Sequence, residues 1–166
     1  MIDIGDEYPT PQNVFDEYHR AFSFDYDACS SHENAKCRTY STKEGTFLKK
    51  PYYFKAGKQY SHYEYTVSDC GLKINWGGFR VWCNPPYSKG LKDAFIEKAI
   101  QEIEDPNGAD IIVMLLPVKT DTKSHHRLVN HPMVSVRYLQ GRISFNGAGS
   151  GRFASMVAIF WRSVER

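Results

Sequence analysis

Phe79–Tyr87 has the sequence FRVWCNPPY, and this stretch decides the fold expected of the chain. Its first half is mostly apolar and predicts a strand, which Asn84-Pro85-Pro86 stops because proline donates no ladder hydrogen bond. Downstream, apolar residues recur at helical spacing over 91–103, and 110–116 form a nearly continuous apolar run, typical of a strand covered on both faces. A strand, a helix and a second strand in this order predict an α/β fold.

The elements outside this unit continue the same alternation. A helix is predicted to open at Thr10-Pro11, with Thr10 as its N-cap, and a strand is predicted over Phe22–Ala28, followed by a loop of small residues at Ala28–Ser31. Two more strands are predicted at 134–139 and 155–161. We therefore expect a mostly parallel sheet with helices on both faces. Ligands bind beyond the carboxyl ends of strands in such sheets, and this rule places the Ala28–Ser31 and Asn84–Tyr87 loops at one edge of the sheet, called the working edge below.

Composition sets the class of protein. The 166 residues carry 21 Lys+Arg against 19 Asp+Glu, a net charge of +2, and 42% of them are hydrophobic. The length predicts a single domain over 1–166, and the hydrophobic fraction excludes a disordered chain. Because no apolar run approaches the roughly 20 residues of a membrane helix and no signal peptide is recognised, we expect a soluble intracellular protein without a membrane partner. The small basic excess predicts that any nucleic acid is held locally.

The cysteines and histidines indicate which chemistry is absent. The four cysteines contain no CxxC pair and the six histidines form no HExxH motif, so we expect no metal. Without a secretory signal, small buried thiols are favoured over disulfides.

A basic aromatic stretch between Lys43 and Thr66 interrupts the alternation of strands and helices. It holds five lysines and seven aromatic residues against two glutamates, and Ala56-Gly57-Lys58 is able to turn a hairpin. Basic charge mixed with aromatic rings suits phosphate contacts and base stacking. A tyrosine-rich edge hairpin, whose lysines protect the edge against aggregation, explains the pattern equally well. The candidate nucleic-acid contacts here are Lys49, Lys50, Lys55 and Lys58.

Asn84-Pro85-Pro86-Tyr87 carries the chemistry of the working edge. The two prolines fix the backbone and remove two N–H donors, so the Asn84 side-chain carbonyl and the Pro85 carbonyl can converge as two acceptors on an NH2 group. Such acceptors favour a nucleophilic lone pair on the nitrogen, and Tyr87 offers a flat face for the ring that bears the amine. A loop that merely ends the strand is the alternative. Cys83 is rejected as a covalent nucleophile because it ends the strand and does not lie in an exposed loop after a proline.

The tetrapeptide and several other short segments occur together in an order and spacing that resemble a known family. These segments are Tyr8–Pro11, Phe24–Cys29, Asn34–Cys37, Gly71-Leu72, Trp82–Ser88, Met114–Pro117, Thr120–Thr122 and Gly141–Phe145. The chain resembles the small phage- and prophage-encoded DNA N6-adenine methyltransferases of the Dam type. This resemblance implies a Rossmann-like methyltransferase core, S-adenosylmethionine as methyl donor, double-stranded DNA as partner and the cytoplasm of a bacterial host as location.

The resemblance also implies where the cofactor is held. Thr10 and Pro11 would hold the methionine end of S-adenosylmethionine, and Asp27, Ala28 and Cys29 would form the first cofactor loop. This loop departs from the broader methyltransferase pattern because small residues replace the usual GxG.

The catalytic roles implied by the resemblance fall on the tetrapeptide. Asn84 and Pro85, with Pro86 completing the turn, would hold the N6 amine of adenine in line with the methylsulfonium. Tyr87 would stack the flipped adenine. Transfer would be a direct displacement without a covalent enzyme intermediate or a metal, so the protein contributes orientation and hydrogen bonding.

The basic aromatic stretch is longer than the family usually has at this position, so we expect an insertion over 43–66, as a hairpin or loop, that contacts DNA. Further candidates for DNA contact are Ser88 and Lys89, and also Arg142 and Arg152, which flank a glycine-rich loop. A plain connecting loop is the slightly favoured explanation of that glycine-rich segment. Asp69 is a candidate for the cofactor's adenosine or for capping a turn.

Two alternative functions remain open at this point. Related methyltransferases with the same tetrapeptide act on RNA bases or on protein glutamine. A catalytically silent homologue that binds DNA or a protein would explain the glycine-poor cofactor loop. The sequence predicts no particular oligomeric state.

Overall fold

The structure is a computed structural model that describes residues 8–49, 53–55, 58–60, 63–67, 69–88, 90–145 and 151–162, with the backbone alone for 49, 53–55, 58–60 and 63–67. Within these ranges the chain forms three helices and ten strands. In chain order they are α1 (Gln12–Phe22), β1 (Tyr26–Asp27), β2 (Thr39–Ser41), β3 (Thr46–Lys49), β4 (Tyr53–Lys55), β5 (Lys58–Tyr60), β6 (Tyr63–Val67), β7 (Arg80–Cys83), α2 (Leu91–Glu104), β8 (Ile111–Pro117), α3 (Lys123–Val129), β9 (Val134–Tyr138) and β10 (Ser155–Trp161).

Eight of these strands form one sheet in the order β6-β3-β2-β1-β7-β8-β10-β9. The neighbours β2, β1, β7 and β8 are parallel, whereas the pairs β6–β3, β3–β2, β8–β10 and β10–β9 are antiparallel. The α/β class is confirmed, but the expected mostly parallel sheet is a mixed one. Parallel neighbours need a long crossover, whereas β2 and β3 are joined by a short turn, closed by the Thr42 N–H on the Gly45 carbonyl at 2.8 Å.

Strand β8 shows how the layers are built. All of its residues are buried, as predicted for a central strand. Ile112 and Met114 pack into the cluster formed with α2 and α3, whereas Val113 and Leu115 pack with α1 on the other face. Because successive side chains of a strand point to opposite faces, the helices cover both faces of the sheet. This part of the predicted architecture is confirmed.

Two boundaries near the start of the described chain differ from their predictions. Pro11 is the N-cap of α1 and no side chain caps the helix, so Thr10 is not the N-cap. The predicted strand Phe22–Ala28 is reduced to β1, because Phe22 still belongs to α1 and Ser23 ends that helix in the left-handed conformation at φ 51°. The aromatic residues that suggested alternation thus complete the apolar side of the helix.

The basic aromatic stretch contributes to two sheets. Strands β3 and β6 extend one end of the large sheet, and β4 and β5 pair with each other in an antiparallel hairpin with Lys55 opposite Lys58. The hairpin expected at Ala56-Gly57-Lys58 is therefore present, although residues 56–57 themselves lie outside the described ranges. Helix α3 was not predicted. Among the described residues, no helix has the length and apolar character needed to cross a membrane.

Candidate functional site

A cavity of about 440 Å³ lies at the carboxyl ends of β1, β2 and β7. Its walls come from the loops after these strands, at 27–31, 41–43 and 84–86, and from the segments 8–10 and 70–72. The two loops predicted to share a working edge therefore face one volume. Cavities of this size hold small organic ligands and cofactors.

Asp27, the last residue of β1, lines this cavity and is only 2% exposed. Its Oδ2 accepts a hydrogen bond from the Lys36 backbone N–H at 2.9 Å, and its Oδ1 accepts one from the Cys29 N–H at 3.4 Å. Burial raises the pKa of the Asp27 carboxyl to about 7, against the lowering effect of these two hydrogen bonds. The carboxyl group thus changes its charge near neutral pH, inside the cavity.

This shifted pKa predicts a pH dependence of stability. The folded protein keeps the Asp27 proton up to about pH 7, whereas an unfolded chain releases it near 3.8. Between these values the folded state binds more protons, so this contribution is fully present below about pH 4 and is lost as the pH rises through 7, by about 4 kcal/mol in total. Asp27→Asn should flatten the free energy of unfolding measured by denaturant titration across this range.

The matched control is Asp16→Asn, which makes the same chemical change at an exposed position on α1. It should retain the wild-type dependence. An Asp27→Asn variant that keeps the wild-type slope between pH 4 and 7 would contradict the assignment.

The Asn84 side chain, directly after β7, is held at both ends of its amide. Its Nδ2 donates to the Tyr8 carbonyl at 2.6 Å and to the Thr10 hydroxyl at 3.0 Å. Its Oδ1 accepts from the Tyr87 hydroxyl at 2.9 Å. An amide oxygen has two lone pairs, so Oδ1 can accept one further hydrogen bond. The orientation of Asn84 is therefore fixed with an acceptor left over.

Tyr87 is buried, with 8% of its surface exposed. Its hydroxyl donates to Asn84 Oδ1 and lies 3.4 Å from the Leu115 carbonyl oxygen. Burial raises the pKa of Tyr87 well above its usual value, so the hydroxyl stays a donor at neutral pH. The Tyr87 ring stacks on Tyr8 with centroids 5.2 Å apart and planes 21° apart. The face predicted to receive a base is thus covered by another ring of the same chain.

The tetrapeptide lies within the part of the chain that matches a characterised family. The family described as DNA N-6-adenine-methyltransferase (Dam) matches residues 54–165. The chain belongs to the Dam family. It is also similar to the DNA N-6-adenine-methyltransferase of Escherichia phage T1, with 31% identity over 121 residues that cover 72% of this chain and 39% of the relative. The resemblance to phage Dam-type proteins is thereby confirmed, and the chain spans well under half the length of this relative.

In this Dam-family chain, the turn at 70–72 is in close contact with the loop after β1 at Gly71. A Cβ atom added to Gly71 would lie 2.0 Å from the Ala28 carbonyl oxygen. The Gly71 carbonyl accepts a hydrogen bond from Trp76 Nε1 at 2.8 Å, which holds the turn against the sheet. Glycine is therefore required here by the approach of two backbones that form one cavity wall.

Several residues predicted from the Dam resemblance lie together at the cavity. Thr10, Ala28 and Cys29 line it, alongside Asp27, Asn84, Pro85 and Pro86. Ser88, which was predicted as a DNA contact, also lines this cavity. Pro11 caps α1 next to the lining residue Thr10, and Asp69 is exposed beside the lining turn 70–72. All four cysteines are free. Among the described residues, no group of three or more His, Cys, Asp or Glu side chains is placed to hold a metal ion.

The predicted DNA contacts are distributed differently. Arg142 and Arg152 are exposed on the loop between β9 and β10. Lys49, Lys55 and Lys58 lie on β3, β4 and β5, which are described by their backbone alone. Lys50 and Lys89 lie outside the described residues. These positions stay predictions as DNA contacts.

Sequence reasoning gave no role to several residues that the structure places at the cavity of this Dam-family chain. Tyr8, Lys36 and Ser41 are among them. Ser41 Oγ lies 2.6 Å from the hydroxyl oxygens of both Tyr26 and Thr46, which ties β1, β2 and β3 together. Tyr8 and Lys36 lie within segments that carry the family resemblance, and that was the available signal. Their contacts join distant parts of the chain, so residue spacing does not reveal them.

Proposed function

We propose that this chain transfers a methyl group from S-adenosylmethionine to the N6 amine of adenine in DNA. One observation carries the proposal: the Asn84-Pro85-Pro86 loop faces a cavity of about 440 Å³ with the buried Asp27 carboxyl among its lining residues. Membership of the Dam family supports the reaction and the substrate. Four parallel neighbours β2, β1, β7 and β8, with the reversed β10 beside them, support a Rossmann-like methyltransferase core.

The lining residues fit S-adenosylmethionine by size and chemistry. The cavity volume lies in the range of nucleoside-sized ligands. In its ionised form Asp27 would accept hydrogen bonds from the donor groups of the cofactor or neutralise its positive charge, and Thr10 would hold its methionine end. Gly71 has no side chain, so the turn 70–72 lies directly against Ala28 and both segments form one wall of the cavity without filling it. When bound, the cofactor supplies an activated methyl group on a sulfonium.

The amine would be held by the first two residues of the tetrapeptide. Asn84 Oδ1 keeps one lone pair for an amine hydrogen while the Tyr87 hydroxyl fixes its position. The Pro85 carbonyl would supply a second acceptor, and the two prolines fix the turn that aims it. Both acceptors favour the lone pair of the nitrogen for a direct displacement, which needs no covalent intermediate on the protein.

The test is methyl transfer from labelled S-adenosylmethionine to unmethylated DNA, followed by digestion and identification of the labelled base. Label in N6-methyladenine supports the proposal. No transfer despite cofactor binding would redirect it to RNA or protein substrates, to be offered in parallel. A chain that neither binds the cofactor nor transfers methyl groups would be a silent homologue.

We expect the basic hairpin β4–β5 to contact the phosphate backbone of the DNA. Lys58→Glu should weaken DNA binding several-fold and reduce the slope of log K against log salt by about 1, because each lysine–phosphate contact releases about one counterion. Filter binding at several salt concentrations measures both quantities.

Arg20→Glu is the matched control, because Arg20 lies in the last turn of α1, near the amino end of β1 and away from the cavity edge. It carries the same change of charge without the proposed contact. Equal salt slopes for Lys58→Glu and wild type would refute this role for the hairpin.

A further inference from the structure

Four aromatic rings pack together at the tetrapeptide loop, those of Tyr8, Tyr87, Phe145 and Phe153. Phe145 and Phe153 approach Tyr87 edge-on, with centroids 6.3 Å and 5.4 Å away and interplanar angles of 80° and 74°. Their own centroids are 5.7 Å apart. Tyr87, Phe145 and Phe153 thus form an aromatic cage, a name used below for these three rings, with Tyr87 as its flat wall and two ring edges beside it.

The Tyr8 ring fills this cage. It stacks on Tyr87 at 5.2 Å and meets Phe145 and Phe153 at 5.2 Å each, with interplanar angles of 60° and 88°. Two stacked rings at this distance leave no room for a third ring between them. A base that is to stack on this face of Tyr87 must therefore displace Tyr8.

Tyr8 also stands next to the groups that would react. It lines the cavity proposed for the cofactor, and its carbonyl accepts the Asn84 Nδ2 hydrogen bond at 2.6 Å. Removing its ring would therefore connect the aromatic cage with the cavity at Asn84. The amine of a base held there would then be turned toward Asn84, the residue proposed to hold it.

We propose that in the free protein Tyr8 occupies the face of Tyr87 on which the target base would stack under the proposed function, and that an unpaired base must displace the Tyr8 ring in order to bind. The inference rests on the proposed function for the identity of the base. Planar heteroaromatic rings are the ligands that such a stacking wall with two ring edges accepts. Tyr8 thereby lowers the apparent affinity for a base, which equals the intrinsic affinity multiplied by the fraction of molecules in which the cage is open.

The test uses an oligothymidylate with one central 2-aminopurine, whose fluorescence falls when it stacks on an aromatic ring. Tyr8→Ala should bind this probe between about twofold and tenfold more tightly than wild type, the range expected for the loss of one competing ring pair. Tyr8→Phe keeps the ring and should bind as wild type does. The same oligonucleotide with an abasic site in place of 2-aminopurine should be bound equally by all three proteins.

Tyr8→Ala keeps the backbone carbonyl that holds Asn84, and a cooperative thermal unfolding transition well above the temperature of the binding measurements will show that the fold is retained. Equal or weaker binding of the 2-aminopurine probe by Tyr8→Ala would overturn the proposal, as would an equal gain with the abasic oligonucleotide. In the Tyr8→Ala background, Phe153→Ala should weaken binding of the 2-aminopurine probe, and no change there would also overturn it. These experiments measure binding and not turnover, so they are independent of the methyl-transfer assay. Failure of the wild-type protein in that assay would refute the proposed function alone.

Discussion

Asn84→Ala is expected to lower the single-turnover rate of methyl transfer to DNA at least about 100-fold, the usual effect of removing one hydrogen-bonding group aimed at the reacting atom. The alanine side chain has no acceptor for the amine, and it leaves the Tyr87 hydroxyl without its partner at 2.9 Å. Cofactor affinity should change little, because Asp27 and Thr10 remain. The measurement is label in N6-methyladenine at saturating S-adenosylmethionine, with the dissociation constant of the cofactor determined by calorimetry.

Asn84→Asp is the matched variant, because it keeps an acceptor oxygen next to the Tyr87 hydroxyl and loses the Nδ2 donor to Tyr8 and Thr10. We expect it to retain more of the rate than Asn84→Ala. A wild-type rate in Asn84→Ala would exclude the amide oxygen as the group that holds the amine.

Gly71→Ala should cause the largest loss of stability among the substitutions considered. Its Cβ would lie 2.0 Å from the Ala28 carbonyl oxygen and 3.3 Å from the Ser41 Cβ, so backbone segments must separate. We expect a loss of about 3 kcal/mol or more in the free energy of unfolding, measured by urea denaturation, since rigid backbone leaves little room for repacking. Cofactor binding should fall with it, because both segments line the cavity.

Gly141→Ala separates this collision from the general cost of replacing glycine. Gly141 has φ +76° with open space around it, so alanine there adds only backbone strain, of about 1 kcal/mol. If Gly71→Ala costs no more than Gly141→Ala, the close approach to Ala28 is not a constraint on the fold.

Elements with a strong local pattern were predicted well. The buried run of β8, the helix α2 and the strand β10 follow from apolar periodicity and from flanking prolines or glycines. The direction of β10 was not predicted. This strand lies between β8 and β9 and runs antiparallel to both, and an apolar strand sequence does not indicate its direction. Helix α3 was also missed, because seven residues with two adjacent histidines show little amphipathic pattern.

In the candidate site, too, features that depend on local sequence were predicted and contacts between distant segments were not. Asn84 and the small residues after β1 were placed at the working edge because they follow predicted strands, and strand ends define that edge. Asp27 was assigned to the cofactor loop by the family resemblance alone. The stacking of Tyr8 on Tyr87 was not predicted, because the two residues are nearly eighty positions apart in the sequence. The hydrogen bond from Asn84 to the Tyr8 carbonyl joins the same two distant segments. Nothing in the local composition of Tyr8-Pro9-Thr10 indicates which ring it will contact.

Strand β1 connects the two parts of the large sheet through very short pairings. It pairs through only two residues with β2 on one side and two with β7 on the other, and no other ladder of the described sheet is shorter. The loops after β1, β2 and β7 all face the same cavity. A molecule bound there would contact the loops on both sides of β1 and would hold the two parts of the sheet together where their pairing is shortest. Ligand binding is therefore expected to stiffen the whole sheet through β1, the shortest of the described strands.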